Sequence, residues 1–340
     1  MISKKRGGGG VLFTFLLVMT FCLASDKSSA QVDAHFSQYY AYPLWLNPGL
    51  TGRIDGSFRV SANFKSQWAS IATPYQTMAL SFDTHAFNHL SLGITVLNQT
   101  AGDAGYQYLN VLGSIAYEVV FDENSDHILS IGVQSGIINR RIDPAQFRSG
   151  SQWNPILGFD PTIPNGEKIS RTSILGLDAN VGIFYTNRSE YTHFQPFVGM
   201  SLYHLSRPSN SFLTGSDDRL PMRLNIHGGV RMEVNNRFSL TPHFLYLRQG
   251  EVDEKVGGLY GQYSLNNQLD FILGTTLRYN DAIIPYIGIL FNNFNLGLSY
   301  DVNISDLAVA SMNNGGIELS LSFVRHQKSS SSIQLSCPRF

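Results

Sequence analysis

The chain has 340 residues, with 24 basic and 25 acidic side chains, so it lacks the electrostatic basis for nucleic-acid binding. Charged residues make up 14 % of the chain, well below the roughly 25 % of soluble proteins. Glycine (31 residues) and aromatic residues (12 %) are abundant. After residue 30, no apolar run approaches the roughly 18 residues that a membrane helix needs. This combination is typical of a transmembrane β-barrel.

Residues 1–30 have the features of a signal peptide for export. Basic residues at 4–6 precede an apolar run at 11–24, which is too short to cross a bilayer comfortably. Because Ala30 is a suitable small residue at a cleavage site, we expect the mature chain to begin at Gln31.

An aromatic stretch, "FSQYYAYPLWLNPGLTG" at 36–52, follows the expected cleavage site and has the period of neither a strand nor a helix. Pro43 and Pro48 remove hydrogen-bond donors and so disfavour a place in a sheet. We predict that residues 31–56 form an N-terminal periplasmic or luminal segment. Two roles are open for this segment, a plug inside the barrel or a binding site for a partner. The residues that would carry either role are Phe36, Gln38, Tyr39, Tyr40, Tyr42, Trp45, Asn47, Pro48 and Gly49.

Apolar and polar residues alternate through residues 57–324, which predicts β-strands. In "GIELSLSF" at 316–323, for example, Glu318 shares one face with serines while aliphatic residues share the other. About fourteen strands fit this pattern. They are placed near 57–65, 75–82, 90–98, 107–119, 127–138, 173–186, 193–205, 221–233, 237–248, 256–265, 268–279, 282–291, 294–303 and 315–324.

A soluble two-sheet sandwich would also alternate, but these strands are long and their apolar faces end in aromatic residues. Aromatic girdles of this kind mark the membrane interfaces of outer-membrane barrels. The girdle candidates are Phe82, Tyr117, Phe121, Tyr185, Phe238, Tyr246, Tyr279, Phe291, Phe294 and Phe323. We therefore predict an all-β fold, a transmembrane antiparallel β-barrel of the outer membrane with about 14 strands.

The lengths of the connections fit a barrel whose N-terminus is periplasmic, because the long ones follow odd-numbered strands. The longest are 139–172, 206–220, 304–314 and 66–74, whereas 235–236 and 292–293 are tight turns. The proline-rich segment 139–172 is too long for a turn, and we expect a structured extracellular loop or a partner contact there.

Residues 325–340 are expected to be a polar periplasmic tail. With Cys22 in the signal peptide, only Cys337 remains, so no intramolecular disulfide can form.

A hydrolytic site would need a serine, a histidine and an acid at one place. His204 and Ser206 lie at the end of the seventh predicted strand, and alternation directs His243 toward the lumen. The sequence places no acid beside either histidine, so we expect no catalytic site. "DENSD" at 122–126 lacks the glycine and distal glutamate of a calcium loop, and "GSDD" at 215–218 reads as a solvated loop tip. We predict no metal and no cofactor.

The polar faces of the strands predict a lumen that is lined by charges of both signs. The expected inward residues are Arg59, Lys65, Asp178, Asn180, Arg223, Arg231, Glu233, Asp270, Arg278, Asp301 and Glu318. Such a mixture gives no preference for an anionic or a cationic substrate. A selective pore and a filled interior braced by paired charges both remain open.

The opening and closing segments resemble those of the PorP/SprF family of outer-membrane proteins of the type IX secretion system. The segments that carry the resemblance are Gln31, "HFSQYYAYPLWLNPGLTG" at 35–52, "SQW" at 66–68, "LGITVLN" at 92–98, "SIGVQSG" at 130–136, "GLDANVGIFY" at 176–185, "LGLSYDVNISDL" at 296–307 and "NNGGIELSLSF" at 313–323. The first and last are specific, and the middle ones are generic barrel strands. The resemblance spans essentially the whole mature chain.

The resemblance implies a non-enzymatic secretion component of the Bacteroidota outer membrane, with no catalytic residues to assign. Members contact periplasmic ring or motor proteins, or help to deliver or anchor a large surface adhesin, including gliding adhesins. We therefore expect outer-membrane lipid and type IX secretion components as partners. A porin-like or fatty-acid-transporter-like barrel is the alternative, although the hatch of such transporters is usually longer than residues 31–56.

Overall fold

A computed structural model describes residues 33–325 apart from 72, 103–104, 122–125, 147–149, 155, 157, 161, 164–168, 190–191 and 214. The predicted signal peptide and all but the first residue of the predicted tail lie outside the described residues, as does most of the "DENSD" segment.

Fourteen strands form one closed antiparallel barrel, in which neighbours in sequence pair and the first strand pairs with the last. The strands are β1 Phe58–Gln67, β2 Tyr75–Phe87, β3 Leu90–Ala101, β4 Tyr106–Val120, β5 His127–Arg141, β6 Ser173–Asn187, β7 Phe194–Tyr203, β8 Arg223–Asn235, β9 Phe238–Gln249, β10 Val252–Asn266, β11 Leu269–Arg278, β12 Ala282–Phe291, β13 Phe294–Asn303 and β14 Asn314–Arg325. At the closure, Phe58 lies opposite Arg325 and Gln67 lies opposite Gly316. The predicted barrel and its strand number are confirmed.

The alternation that predicted the strands also sorts their side chains between the lumen and the outer surface. In β12, Ile283, Ile287 and Ile289 are exposed, whereas Ile284 and Tyr286 between them are buried. Adjacent residues of a strand point to opposite faces, so each strand gives one face to the membrane and one to the interior.

Several strands differ from their predicted bounds, and two of these differences have a clear local cause. β7 ends at Tyr203 rather than near 205, because His204 has a left-handed backbone with φ of 61° and turns the chain into the next loop. β10 begins at Val252 rather than near 256, because Gly250, with φ of 63°, forms a tight turn directly after β9.

The two ends of the barrel differ in the lengths of their connections. Connections after even-numbered strands are short, such as the turn at Asn292, whose φ is 52°. The longest connection, 142–172, contains single-turn 3₁₀ segments and a two-residue pairing of Trp153–Asn154 with Gly158–Phe159. We call these the short-turn end and the long-loop end. Most of the predicted girdle aromatics, including Tyr117, Phe291 and Phe294, lie toward the short-turn end.

Residues 33–56 precede β1 and fold as a chain of short turns, which we call the plug. It contains 3₁₀ turns at Tyr39–Ala41 and Pro48–Leu50 and the one-turn helix α1 at Pro43–Leu46, with proline at the start of α1 and of the second 3₁₀ turn. A second short helix, α2 at Leu307–Ser311, lies between β13 and β14. Of the described residues, no helix is long and apolar enough to cross a membrane.

Candidate functional site

The plug runs through the barrel lumen from the long-loop end to the short-turn end. Asp33 contacts Arg223 at the long-loop end of β8, whereas Arg53 contacts Glu118 near the short-turn end of β4. Every residue from 36 to 54 is buried. That range includes all nine residues that the sequence singled out in this segment. In this arrangement their side chains contact the barrel wall rather than the surroundings of the barrel.

Three hydrogen-bond donors hold Asp33 at the long-loop end: His204 in the connection after β7, Arg223 at the start of β8 and Gln249 at the end of β9. We call this group the Asp33 clamp. Its Oδ2 atom lies 2.6 Å from His204 Nε2, 3.0 Å from Arg223 Nη1 and 3.1 Å from Gln249 Nε2. On its other side, His204 Nδ1 lies 3.1 Å from both carboxylate oxygens of Asp178. The imidazole therefore bridges a plug carboxylate and a wall carboxylate.

The geometry of the clamp fixes the charge of His204. A carboxylate accepts hydrogen bonds, so a ring with a carboxylate at each nitrogen is best satisfied as an imidazolium that donates from both. Burial would lower the pKa of His204, but Asp33 and Asp178 raise it above its usual value. Burial would raise the pKa of Asp33, but His204 and Arg223 hold it well below its usual range.

The clamp also bears on the sequence argument about catalysis. The structure places two acids beside His204, which sequence alone did not show. Ser206 donates instead to the Leu177 carbonyl at 2.8 Å. Because both nitrogens of His204 face carboxylates, the ring has no free nitrogen with which to activate a serine. Among the described residues, no group of three or more histidine, cysteine or acidic side chains is arranged to hold a metal ion.

A second polar cluster, the Glu318 cluster, holds the next part of the plug in the long-loop half of the lumen. The Glu318 carboxylate accepts the backbone N–H groups of Ser37 at 2.7 Å and Gln38 at 3.0 Å. Ser37 Oγ donates to Asp301 at 2.7 Å, and Lys65 lies 3.4 Å from Asp301. Buried carboxylates thus satisfy backbone donors that no strand or helix satisfies.

Aromatic residues of the plug pack against the barrel wall. Trp45 stacks under the Arg223 guanidinium at 4.6 Å, and Trp45 Nε1 donates to the Ala34 carbonyl at 3.0 Å. The Tyr42 hydroxyl is fully buried and lies 3.0 Å from the Val96 carbonyl of β3. A buried phenol needs such a partner, so Tyr42 is fixed in orientation as well as in position.

The Asn-Pro-Gly turn of the plug sits against glycines of the barrel wall. Asn47 Nδ2 donates to the Ile183 carbonyl at 2.8 Å, and Asn47 Oδ1 accepts from Gly49 N at 2.8 Å. A side chain at Gly182 would place its Cβ 2.0 Å from Asn47 Oδ1, and one at Gly132 would meet the Pro48 carbonyl at 2.2 Å. These glycines let the plug backbone approach the wall.

Two ion pairs hold the last part of the plug at the short-turn end, and we call the first of them the Arg53 pair. Arg53 Nη1 lies 2.7 Å from Glu118 Oε1. Next to it, Asp83 accepts from Arg59 at 2.8 Å and from the backbone N–H of Gly52 at 2.8 Å.

Sequence reasoning selected Arg59 but missed Asp33, Arg53, Asp83 and Glu118. The inward faces of β2 and β4 could have suggested Asp83 and Glu118, whereas no periodic signal marks Asp33 or Arg53.

The structure buries most of the predicted lumen residues at the inner wall, with two exceptions on β8. Arg231 lies toward the short-turn end of β8 and is only half-buried, and Glu233, two residues further along, is exposed. Asn180 joins the Asp33 clamp, because its Oδ1 accepts from the backbone N–H of His204 at 2.9 Å. Of the predicted set, the buried residues are Arg59, Lys65, Asp178, Asn180, Arg223, Asp270, Arg278, Asp301 and Glu318. Opposite charges are paired across the lumen, so the interior is braced rather than uniformly charged.

A closed barrel with an even number of antiparallel strands, an apolar outer face and a filled polar interior is an outer-membrane β-barrel. The model of the family described as "Type IX secretion system membrane protein PorP/SprF" matches residues 28–323. The chain therefore belongs to the PorP/SprF family and is a component of the outer membrane. This confirms the resemblance that its opening and closing segments carry.

Solved structures that resemble the chain are outer-membrane barrels of low sequence identity. The toluene transporter TbuX of Ralstonia pickettii has a TM-score of 0.52 at 11 % identity, with 84 % of this chain and 93 % of that chain covered. The toluene transporter TodX of Pseudomonas putida has a TM-score of 0.49 at 11 % identity, covering 86 % and 95 %. A FadL homologue of Pseudomonas aeruginosa has a TM-score of 0.44 at 11 % identity, covering 85 % and 94 %. The likeness to TbuX shows a shared fold. No curated protein sequence matches the chain.

Proposed function

We propose that the protein is a closed, non-enzymatic scaffold of type IX secretion that supports export or surface anchoring of an adhesin. Membership of the PorP/SprF family carries the secretion role. The buried plug supports the closed state, because residues 36 to 54 fill the lumen and polar contacts hold them at both ends.

Contact with partners then falls to the parts of the barrel that remain accessible. The loop between β5 and β6 exposes Trp153 and Ile156, and Leu213 is exposed in the loop between β7 and β8. Exposed apolar side chains on loops are common at protein interaction sites. We propose that these loops contact an adhesin or another secretion component. A direct partner role for the plug would require its release from the lumen.

A hydrocarbon or fatty-acid transporter is the second candidate, and its support is the fold shared with TbuX. The cavity between the plug and the wall beside His35, Trp45 and Asn225 weighs against it. This cavity has a volume of about 30 Å³, whereas benzene is known to fill an engineered cavity of about 150 Å³. Hydrocarbon would therefore pass only after the plug has moved.

Deletion of residues 32–52 tests the proposal. The deleted barrel is expected to insert in the membrane, as judged by heat-modifiable migration and surface labelling, and to conduct ions in a planar bilayer. The full chain is expected to stay silent. Because the proposed role needs a closed lumen, cells with the deletion should lose adhesin export, whereas secretion components that contact the loops should still be pulled down. A full chain that conducts like an open porin, or unchanged export by the deletion, would contradict the proposal. Toluene uptake that depends on the full chain would favour the transporter.

A further inference from the structure

The barrel wall is paired over only part of its length between β6 and β7. On one side, β6 pairs with β5 along its whole length. On the other side, its pairing with β7 covers only Val181 to Thr186. β7 ends at Tyr203, and the chain turns away from the ladder at His204. Residues 173–180 of β6 therefore border a gap in the strand pairing, which we call the seam break.

The seam break lies at membrane depth, toward the outer leaflet, because the long loops of such barrels are extracellular. A transmembrane strand needs about 9–11 residues, and counting from Tyr185 along β6 reaches that length at Leu177 to Leu175. The side chains of Leu175 and Leu177 are 68 % and 71 % exposed on the outer surface. Lipid cannot satisfy the backbone groups of an open strand edge. The break must therefore be closed by other groups of the protein.

The chain that follows β7 closes the seam break without a regular ladder. The Leu205 backbone N–H donates to the Ala179 carbonyl at 2.9 Å. The Ser206 hydroxyl donates to the Leu177 carbonyl at 2.8 Å. Both donors belong to a tight turn that begins at His204. The position of this turn therefore decides whether the break is closed.

His204 fixes the turn to β6 through its backbone and through its ring. Its backbone N–H donates to Asn180 Oδ1 at 2.9 Å, and its Nδ1 atom lies 3.1 Å from the Asp178 carboxylate. On the luminal side, the same ring lies 2.6 Å from Asp33 of the plug. His204 thus belongs both to the Asp33 clamp and to the wall. A plug carboxylate holds the residue that closes the seam break.

We propose that the seam break is a lateral gate in the barrel wall, and that the seated plug keeps it shut through His204. Departure of Asp33 leaves His204 and Arg223 without the carboxylate that they share. A buried charge without a partner is strongly destabilising, so the ring turns toward water and leaves Asp178. The turn after β7 then loses its hold on β6, and the break opens toward the outer leaflet. This coupling is independent of the secretion role.

Quenching of bimane fluorescence by tryptophan reports whether the break is closed, because it requires near contact of the two groups. Bimane on Leu177→Cys and the indole of Leu205→Trp lie across the break, at two exposed positions whose backbone contacts are kept. Cys337→Ser removes the other cysteine of the expected mature chain. The full chain is measured in lipid vesicles. Bimane should be quenched when the plug is intact, and the quenching should be lost in Asp33→Ala and in His204→Ala.

A matched pair tests the wall where the ladder is long. Ile115 and Val133 lie directly opposite each other on β4 and β5, and both are exposed. Bimane on Ile115→Cys should stay quenched by Val133→Trp when Asp33→Ala or His204→Ala is added. Unchanged quenching across the break in Asp33→Ala, or an equal loss at both pairs, would overturn the proposal. Loss in His204→Ala alone would also overturn it, because the plug would then not control the break.

A second readout tests the direction in which the break opens. Tyr203 borders the break and is fully buried. The protein is reconstituted in vesicles of phosphatidylethanolamine that carries a photoactivatable group on one acyl chain. Tyr203 should be unlabelled in the wild type and labelled in Asp33→Ala. Equal labelling of Tyr203 in the two proteins, or none in Asp33→Ala, would contradict a gate that opens to lipid.

Discussion

Replacing His204 with alanine should release the long-loop end of the plug. The imidazolium is buried between Asp33 and Asp178, at 2.6 and 3.1 Å, and breaking a buried charge pair from one side costs about 3–5 kcal/mol. Because Arg223 and Gln249 still donate to Asp33, we expect a loss near the lower bound, about 3 kcal/mol. At about 1.4 kcal/mol per factor of ten, the ratio of closed to open barrels should fall about a hundredfold.

Single-channel recording in planar bilayers measures that ratio directly, since the plug blocks the lumen when it is seated. His204→Ala should show frequent openings, and the double variant Asp33→Asn with His204→Ala should show less than the sum of the single effects. Asp217→Asn is the matched control, because its pair with Arg219 is exposed on a loop and should contribute little. Openings of His204→Ala at the wild-type rate, or strictly additive effects, would refute the assignment of the clamp.

Three further predictions concern the contacts between the plug and the barrel wall. The carboxylates of Asp33 and Asp178 raise the pKa of His204 in the closed barrel. The contribution of His204 to closure is therefore present below pH about 6.5 and is lost as the pH rises through the pKa of the closed state. Channel openings should increase at alkaline pH in the wild type and not in His204→Ala. Gly132→Val should displace the plug and lower the melting temperature, because the added Cβ would lie 2.2 Å from the Pro48 carbonyl. Gly113→Ala is the control and should leave the melting temperature unchanged, because the nearest atom to its added Cβ lies 3.9 Å away. Asn47→Ala should lower the free energy of unfolding in denaturant by about 2–3 kcal/mol, because the variant loses buried hydrogen bonds to Ile183 and Gly49. A decrease in the free energy of unfolding below about 0.5 kcal/mol would contradict this.

Periodicity predicted the barrel well because a transmembrane strand must place an apolar side chain outward at every second position. The same rule directed Arg59, Asp178 and Glu318 to the lumen. It could not show what Glu318 would meet there, because its partners Ser37 and Gln38 belong to the plug, a segment without periodicity. Asp33 and His204 are 171 residues apart in sequence. They meet only because the barrel closes around a plug that enters at the long-loop end, and register within the sheet carries no information about that path.

The distribution of contacts along the plug bears on how the barrel could open. Charged contacts hold the plug in the long-loop half, in the Asp33 clamp and the Glu318 cluster, and at the short-turn end, in the Arg53 pair, while aromatic packing and the Asn47 turn hold the middle. If the Asp33 clamp and the Arg53 pair each contribute about 3 kcal/mol, releasing these two costs about 6 kcal/mol before any other contact is lost. Moving a two-state equilibrium from 1:99 to 99:1 takes about 5.5 kcal/mol of differential binding. A partner that opened this barrel would therefore have to bind the released form more than about ten-thousandfold more tightly than the closed one. A scaffold that works with its lumen closed needs no such partner, which is why we favour that role.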